Sequence, residues 1–273
     1  MLANGLTEEF AERVFLQIKG FGEYGFPESH AASFAILAYV SAWLKYHYPA
    51  AFCAALINSQ PMGFYAPAQL VRDARNHGVE VRPADVNCSR WDCTLEGDAM
   101  RLGLRMIRGI GQATAELIER TREAGDFRSL DDFAKRTKLE QSILTTLSDA
   151  DAFRSLALDP RQSLWQSLAR CREDRPLFDG VEENEPLMPL LPMNQREEVS
   201  ADYQALGLSL KAHPVSFYRA ELDRLQVTPA ARLAAMDDGR FTRVAGLILM
   251  RQRPSTARDI TFVTLEDETG QIN

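Results

Sequence analysis

The sequence predicts a mainly α-helical protein with a small β part. Apolar residues recur at helical spacing from Thr7 to Gln60 and again from Arg105 to Phe153. Short alternating stretches typical of strands occur around 79–104 and within 241–273. Hydrophobic residues make up 45% and charged residues 25% of the 273 residues. That composition is typical of globular proteins and excludes a fibrous or wholly disordered chain.

Charge and hydropathy exclude several classes. The chain has 31 basic and 38 acidic residues, a net charge of −7, which argues against a histone-like coat for nucleic acid but leaves room for a local basic patch. The longest apolar run, Ala31–Leu44, is too short and too polar to span a membrane. The acidic start of the chain does not resemble a secretion signal. Four scattered cysteines without a CxxC pair indicate reduced thiols, no metal site and a cytoplasmic location.

The apolar pattern of the first zone, residues 1–66, predicts three helices. One begins near Thr7 and is interrupted by the glycine-aromatic stretch Gly20–Pro27. The second begins near Ser29 and is apolar nearly all round, so we expect it to be buried between neighbours. The third, Ala50–Ile57, follows a proline.

The second zone, residues 67–157, combines helices with a little β structure. An amphipathic helix is predicted over Gln69–Asn76, with His77-Gly78 as its C-cap. A short strand at 79–83 and a hairpin within 91–104 follow, and helices with short turns continue to the end of the zone.

The last two zones differ in texture. Residues 158–238 are predicted to be a linker with a proline- and acid-rich stretch and one helix, roughly Ser216–Leu225. Residues 239–273 hold a strand around Val244–Met250 that we expect to be buried on both faces, and two further strand signals. Because so few strands cannot bury a sheet face, this end looks truncated and the chain is predicted to be a fragment.

A Gly-x-Gly turn in the second zone carries the most specific signal. Gly109 and Gly111 allow a tight turn with positive φ, and Ile110 between them can fill the gap between two helices. A helix predicted to begin at Gln112 presents unpaired backbone N–H groups, which attract a phosphate oxygen. The stretch 104–118 resembles a helix-hairpin-helix DNA-binding element.

The predicted phosphate contacts combine that turn with flanking arginines. They are Arg105, Arg108, Gly109, Ile110, Gly111, Gln112, Ala113 and Thr114. The alternative is an ordinary turn between two core helices. A second, worn copy at 143–153 has acids where a phosphate would lie, so we interpret it as a structural partner. Neither its acids nor Asp131-Asp132 are expected to bind a catalytic metal.

Further stretches resemble the bacterial C-family DNA polymerases, the replicative polymerase III alpha subunits and their error-prone relatives. Residues 22–35 resemble the fingers-domain signature of that family, and 41–45 and 48–52 fit its continuation. Residues 58–65 and Trp91-Asp92-Cys93 look more like the error-prone, damage-induced branch. The resemblance covers nearly the whole chain.

The resemblance assigns each zone a place. It implies the C-terminal part of the polymerase fingers at 1–66, a tandem helix-hairpin-helix domain at 67–157, a linker at 158–238 and the N-terminal part of an OB-fold at 239–273. It implies a DNA-directed DNA polymerase, a nucleotidyltransferase of damage-tolerant replication and repair. The catalytic carboxylates and their Mg²⁺ would lie in a palm domain outside this chain, so the chain alone is expected to be inactive.

Other residues have two interpretations each. Lys19, Ser29 and His30 would lie near the incoming nucleotide or template, or Ser29 is a helix N-cap and His30 a first-turn residue. Leu177 and Phe178 occupy the place of a sliding-clamp peptide, but Asp174 stands where a glutamine is expected, which favours a solvated linker. The resemblance further implies mutagenesis accessory proteins as partners.

The OB-like end offers Arg251, Arg253, Arg258 and Phe262 for single-stranded nucleic acid, but its truncation predicts little binding there. Two other functions stay open. One is a helix-hairpin-helix DNA glycosylase, which would need a catalytic aspartate lining a base pocket. The other is a non-catalytic scaffold that binds DNA.

Overall fold

A computed structural model describes residues 7–24, 28–63, 65–169, 190–254 and 260–273. In this part of the chain, helices predominate and two small sheets of three strands each complete the structure, which confirms the predicted fold class. Among the described helices, none is long and apolar enough to cross a bilayer.

Three helices form the first zone: α1 (Glu8–Tyr24), α2 (Glu28–His47) and α3 (Pro49–Asn58). The expected interruption of α1 at Gly20 is wrong, because the helix continues to Tyr24. A glycine inside a helix costs only about 1 kcal/mol relative to alanine, which neighbouring turns can offset. Helix α2 begins one residue before Ser29, so Ser29 lies in its first turn and is not its N-cap.

Helix α2 is not buried as its composition predicts. Its large apolar side chains are mostly exposed, among them Ile36 at 64%, Tyr39 at 72% and Tyr46 at 82%. Helix α3 is different, since Cys53 and Ile57 join the main core of the molecule. The apolar pattern of α2 indicates a helix that packs against other elements on several sides. Among the described residues, such packing is seen for α3 but not for α2.

The first sheet follows α4 (Pro67–Asn76) and contains β1 (Val81–Arg82), β2 (Thr94–Glu96) and β3 (Ala99–Arg101). Strand β3 is central, pairing in parallel with β1 and antiparallel with β2. The β2–β3 turn contains Gly97 in the left-handed region, at φ +64°. The predicted helix, strand and hairpin are confirmed here.

Three helices complete the second zone, α5 (Gln112–Arg122), α6 (Leu130–Thr137) and α7 (Gln141–Asp149), and α8 (Pro160–Ala169) follows at the start of the next zone. Ser129 caps α6 by accepting a hydrogen bond from the amide of Asp132. The helices surround a continuous core that also takes in α3 and the first sheet. Its largest fully buried side chains include Met100, Leu102, Leu104, Ile107, Ile118, Leu130, Phe133, Leu147 and Phe153.

The expectation of a linker with one helix is wrong. Besides α8, the zone contains α9 (Gln195–Ala205), α10 (Arg219–Arg224) and α11 (Ala230–Leu233), while 170–189 lie outside the described residues. Helix α9 begins with a capping box in which Asn194 and Glu197 bind each other's backbone amides. The capping box lies beside the proline- and acid-rich stretch, and the composition of that stretch is what led to the prediction of a linker.

The second sheet has the antiparallel order β4 (Leu247–Gln252), β5 (Phe262–Glu266) and β6 (Gln271–Ile272). The expectation of a first strand buried on both faces is wrong. Ile248 is 66% exposed and Met250 45%, because no described element covers either face of β4.

A buried carboxylate joins this sheet to the helices before it. Asp267 is fully buried in the β5–β6 turn, where its Oδ1 accepts hydrogen bonds from the amides of Thr269 (2.7 Å) and Gly270 (2.9 Å). Its Oδ2 accepts from the amide of Ala230 at the start of α11 (2.8 Å) and faces Arg219 (3.3 Å). Burial alone raises the pKa of Asp267, but hydrogen bonds from Thr269, Ala230 and Gly270 outweigh it and lower that pKa.

We expect Asp267→Ala to lower the free energy of unfolding at pH 7 by about 2 kcal/mol, because several buried donors lose their acceptor. Since folding lowers the pKa of Asp267, its contribution is complete above its ordinary pKa of about 3.9 and is lost as the pH falls through the lowered value. Urea unfolding at pH 7 and pH 2.5 measures the difference. Asp98→Ala, in an exposed turn, is the control and should change little. An Asp267→Ala deficit that persists undiminished at pH 2.5 would contradict this account.

Candidate nucleic-acid interface

The Gly-x-Gly turn is built on one left-handed residue. Gly109 has φ +88°, which glycine adopts without the strain that a Cβ imposes. Gly111 differs from the prediction, because its backbone is extended, at φ −91° and ψ 161°, as the N-cap of α5. The turn follows a single 3₁₀ turn, Leu104–Met106, where the resemblance implies a full helix.

Four backbone amides are unpaired at the start of α5. No acceptor in the described part of the chain binds the N–H groups of Gly111, Gln112, Ala113 or Thr114, and no side chain caps the helix. The first satisfied amide is that of Ala115, which donates to the Gly111 carbonyl at 3.1 Å. Gly111, Gln112 and Ala113 are exposed. These N–H groups, together with the helix dipole, form a surface that favours an anion.

The corner is held from behind by the core. Ile110 is only 6% exposed and packs in the same core as Ala115 and Ile118 of α5. Gly109 lies against α7, since a Cβ on it would be 3.7 Å from Cγ2 of Thr146. The structure therefore places the apolar residue of the motif inside and its glycines outside.

Arg105 does not lie at the interface as an available cation. Its guanidinium donates to the carbonyls of Asn58 (2.6 Å) and Gln60 (3.0 Å) and pairs with Asp92 (2.6 Å). It also lies over the ring of Trp91, 5.6 Å from its centroid, and its side chain is 17% exposed. A phosphate contact would have to replace these bonds, so the assignment of Arg105 to DNA is corrected: it links the end of α3 to the hairpin.

Arg108 is exposed and lies directly beside Gly109, but part of it is engaged. Its amide donates to the carbonyl of Ala205 (2.9 Å) and its Nη1 donates to that of Gln204 (3.0 Å), both at the end of α9. Sequence reasoning missed this support, because α9 lies nearly one hundred residues further along the chain. In the sequence, Gly207 is the residue that could have indicated this contact. It has φ +76° and no side chain, so Nη2 of Arg108 lies only 3.0 Å from the position that a Cβ of residue 207 would occupy.

The second hairpin copy uses its acids internally. Asp151 is buried and pairs with Arg154 (2.5 Å) and with Lys211 (3.4 Å). Burial disfavours the charge of Lys211, but Asp202 and Asp151 outweigh it and raise the pKa of Lys211. Where the first copy has a bare helix start, this copy has only a 3₁₀ turn, Arg154–Leu156. These contacts agree with a structural role.

Lys19, Ser29 and His30 belong to α1 and α2 and not to the hairpin motif. Lys19 is exposed on α1, and His30 is exposed on α2 with its ring 4.4 Å from that of Phe34. Leu177 and Phe178 fall outside the described residues.

No metal-binding cluster of three or more His, Cys, Asp or Glu side chains occurs in the part of the chain that the structure describes. Asp131 pairs with Lys135 and Asp132 with Arg136 on the surface of α6. Burial raises the pKa of Asp149. These acids do not fit a two-metal centre, which requires convergent, unpaired carboxylates.

Comparison with known proteins bears on this geometry. A family described as helix-hairpin-helix motif matches residues 78–163, which include the Gly109 corner, α5, α6, α7 and the start of α8. Over its whole length the chain is 55% identical to an error-prone DNA polymerase of Rhodopirellula baltica and 50% identical to one of Sinorhizobium medicae. It is 51% identical to that of Alkalilimnicola ehrlichii.

The chain matches error-prone DNA polymerases over its whole length. It spans 25% of the Rhodopirellula baltica polymerase and 27% of the other two, and corresponds to their C-terminal part. The resemblance seen in the sequence is thus confirmed.

We expect Arg105→Ala to destabilise the protein by about 2–4 kcal/mol, because it removes a largely buried charge and leaves Asn58 O, Gln60 O and Asp92 without their donor. Duplex affinity per folded molecule should change less than twofold. Arg108→Ala, the comparison variant, should weaken duplex binding and cost less than 1 kcal/mol of stability. Urea unfolding and fluorescence anisotropy separate the two effects. Full stability of Arg105→Ala together with lost affinity would return Arg105 to the interface.

Proposed function

We propose that this chain is the DNA-binding part of an error-prone DNA polymerase and holds duplex DNA by its phosphate backbone. The observation that carries the proposal is the start of α5, where four amides without acceptors lie beside exposed Arg108. Backbone N–H groups at a helix start bind phosphate oxygens by position and dipole.

The same geometry argues for contact without base readout. Glycines leave no side chain at the tip of the corner, and Gln112, the nearest long polar side chain, donates to Glu116 on its own helix at 2.8 Å. Phosphate contacts fix the protein on the duplex but carry no sequence information. Such binding weakens steeply as salt rises, because it releases condensed counterions.

Polymerisation belongs to the whole protein in this proposal. The relatives are about four times as long as this chain, and the acids described here are paired internally or lie on the surface. We therefore place the catalytic carboxylates and their Mg²⁺, which would activate and align the reacting oxygens, in a part of the protein that this chain does not contain. Lys19, Ser29 and His30 would lie on the nucleotide or template side.

Several finer assignments rest on the resemblance alone. We propose a cytoplasmic protein of damage-tolerant replication and repair. The thiols of Cys53, Cys88 and Cys93 are not in disulfides, which is consistent with a reducing compartment. We further propose that Leu177 and Phe178 contact a sliding clamp and that mutagenesis accessory proteins are partners. A glycosylase gains no support, because Asp131 and Asp132 pair with basic residues of their own helix.

We expect salt-sensitive duplex binding without sequence preference, which Gly109→Val should weaken at least tenfold. A valine there is strained at φ +88° and approaches Thr146, so the corner moves and its amides are displaced. Gly97→Val is the matched control, since Gly97 also has positive φ but lies in the β2–β3 turn with open space around it. Anisotropy with a labelled duplex measures affinity, and circular dichroism verifies the helices. Equal affinity of folded Gly109→Val and the parent would contradict the assignment.

We also expect no Mg²⁺-dependent primer extension by this chain alone. The expectation follows from the internal pairing of its acids, and a labelled primer-template assay tests it. Extension that survives purification to a single species would place the reactive centre within these residues and overturn that part of the proposal.

A further inference from the structure

A second basic surface is built from residues outside the hairpin motif, between α10–α11 and the strip 240–243 that leads into the second sheet. It is an open cleft of about 1190 Å³, which we call the arginine cleft. Its basic and aromatic lining residues are Arg219, Arg232, Arg240, Phe241 and Arg243. Sequence reasoning did not single it out, because these residues come from three separate short segments.

Phe241 is the most exposed large apolar residue among those described. Its exposure is 103% of the reference value, so its ring contacts almost nothing of its own chain. An exposed phenylalanine forgoes the stabilisation that burial of its ring in the protein would contribute. Both faces of this ring are free to stack on a planar partner.

The arginines beside Phe241 are largely unneutralised. Arg232 and Arg240 are exposed and make no side-chain ion pair or hydrogen bond within the described ranges. Arg243 is exposed and donates once, to the carbonyl of Leu225 at 3.1 Å. The lining acids Asp223 and Glu268 both face Arg219, at 3.8 Å and 2.5 Å, which leaves the other three arginines of the lining without an acid as partner among the described residues. The cleft is thus cationic in a chain whose net charge is −7.

The strip that carries Phe241 is fixed on its C-terminal side. The amide of Thr228 donates to the carbonyl of Arg243 at 2.8 Å, and the hydroxyls of Thr228 and Thr242 lie 2.7 Å apart. Val227 and Arg243 form a parallel bridge. Because these bonds hold the adjacent backbone, the ring of Phe241 is presented without a large ordering cost on binding.

We propose that the arginine cleft binds single-stranded DNA, with a base stacked on Phe241 and the flanking phosphates held by Arg232, Arg240 and Arg243. An exposed ring among arginines is the arrangement that recognises unstacked bases on a charged backbone. A duplex offers no free base face, so the cleft selects single strands whereas the hairpin motif holds duplex. The inference rests on the proposed function and places the single-strand contact outside the sheet face.

The test uses the complete 273-residue chain and a labelled oligothymidylate of about 12 nucleotides, within the site sizes of single-strand binders. We expect Phe241→Ala to weaken binding about tenfold, and Arg232→Ala with Arg240→Ala together to weaken it as much and to flatten its salt dependence. Matched controls lie on the sheet: Phe262→Ala and Arg251→Ala should each change affinity less than twofold. Because Phe241 contacts so little, its loss should leave the melting temperature unchanged.

A conservative variant adds a direct readout. Phe241→Trp should retain affinity, and its added fluorescence should be quenched by oligothymidylate, as expected for a stacked indole. Unchanged affinity of Phe241→Ala, or loss of affinity with Phe262→Ala instead, would overturn the cleft assignment. The duplex assay distinguishes the two proposals: duplex binding without oligothymidylate binding removes the cleft alone, whereas absence of duplex binding removes the hairpin assignment. Phe241→Ala should leave duplex affinity intact.

Discussion

The free start of α5 is the constraint on which the rest of this structure depends. A helix start leaves four amides without partners, and most helices satisfy some of them with a serine, threonine, aspartate or asparagine cap. Gly111 supplies no such group, and the left-handed Gly109 bends the chain so that the bare amides lie at the surface. A phosphate oxygen at this position would accept charge-assisted hydrogen bonds from amides that have no acceptor within the described part of the fold.

Three distant elements support that corner. Arg105 joins it to the end of α3, α9 accepts two hydrogen bonds from Arg108, and α7 lies against Gly109. Acids around this support are already paired, Asp92 with Arg105 and Asp151 with Arg154 and Lys211. A chain with net negative charge can therefore present a local surface that attracts phosphate, because repulsion falls off with distance and screening.

Features set by neighbouring residues were predictable from the sequence, and features set by distant partners were not. The positive φ of Gly109, the burial of Ile110 and the start of α5 at Gln112 depend on a few adjacent residues. The role of Arg105 depends on carbonyls more than forty positions earlier in the chain, and an arginine beside a glycine turn looks the same whether it binds phosphate or protein. The exposure of α2 depends on which surfaces cover it, which its own apolar pattern does not specify.

The arginine cleft and the hydrogen bonds of Asp267 were likewise not predictable from the sequence. Each assembles short segments from α10, α11 and the second sheet, and none of these segments has a periodic pattern long enough to stand out. The proline- and acid-rich composition nearby indicates a linker, yet the capped helix α9 lies within that zone and supports the hairpin motif.

Backbone amide chemical shifts test most directly whether the start of α5 binds the phosphates of duplex DNA. In a ¹⁵N-labelled sample titrated with a short duplex, the amides of Gly111, Gln112, Ala113 and Thr114 should show the largest shifts, because new hydrogen bonds to phosphate form at those protons. Their shifts should revert as salt is raised. Duplex binding that leaves these four amides unperturbed while others move would contradict the account.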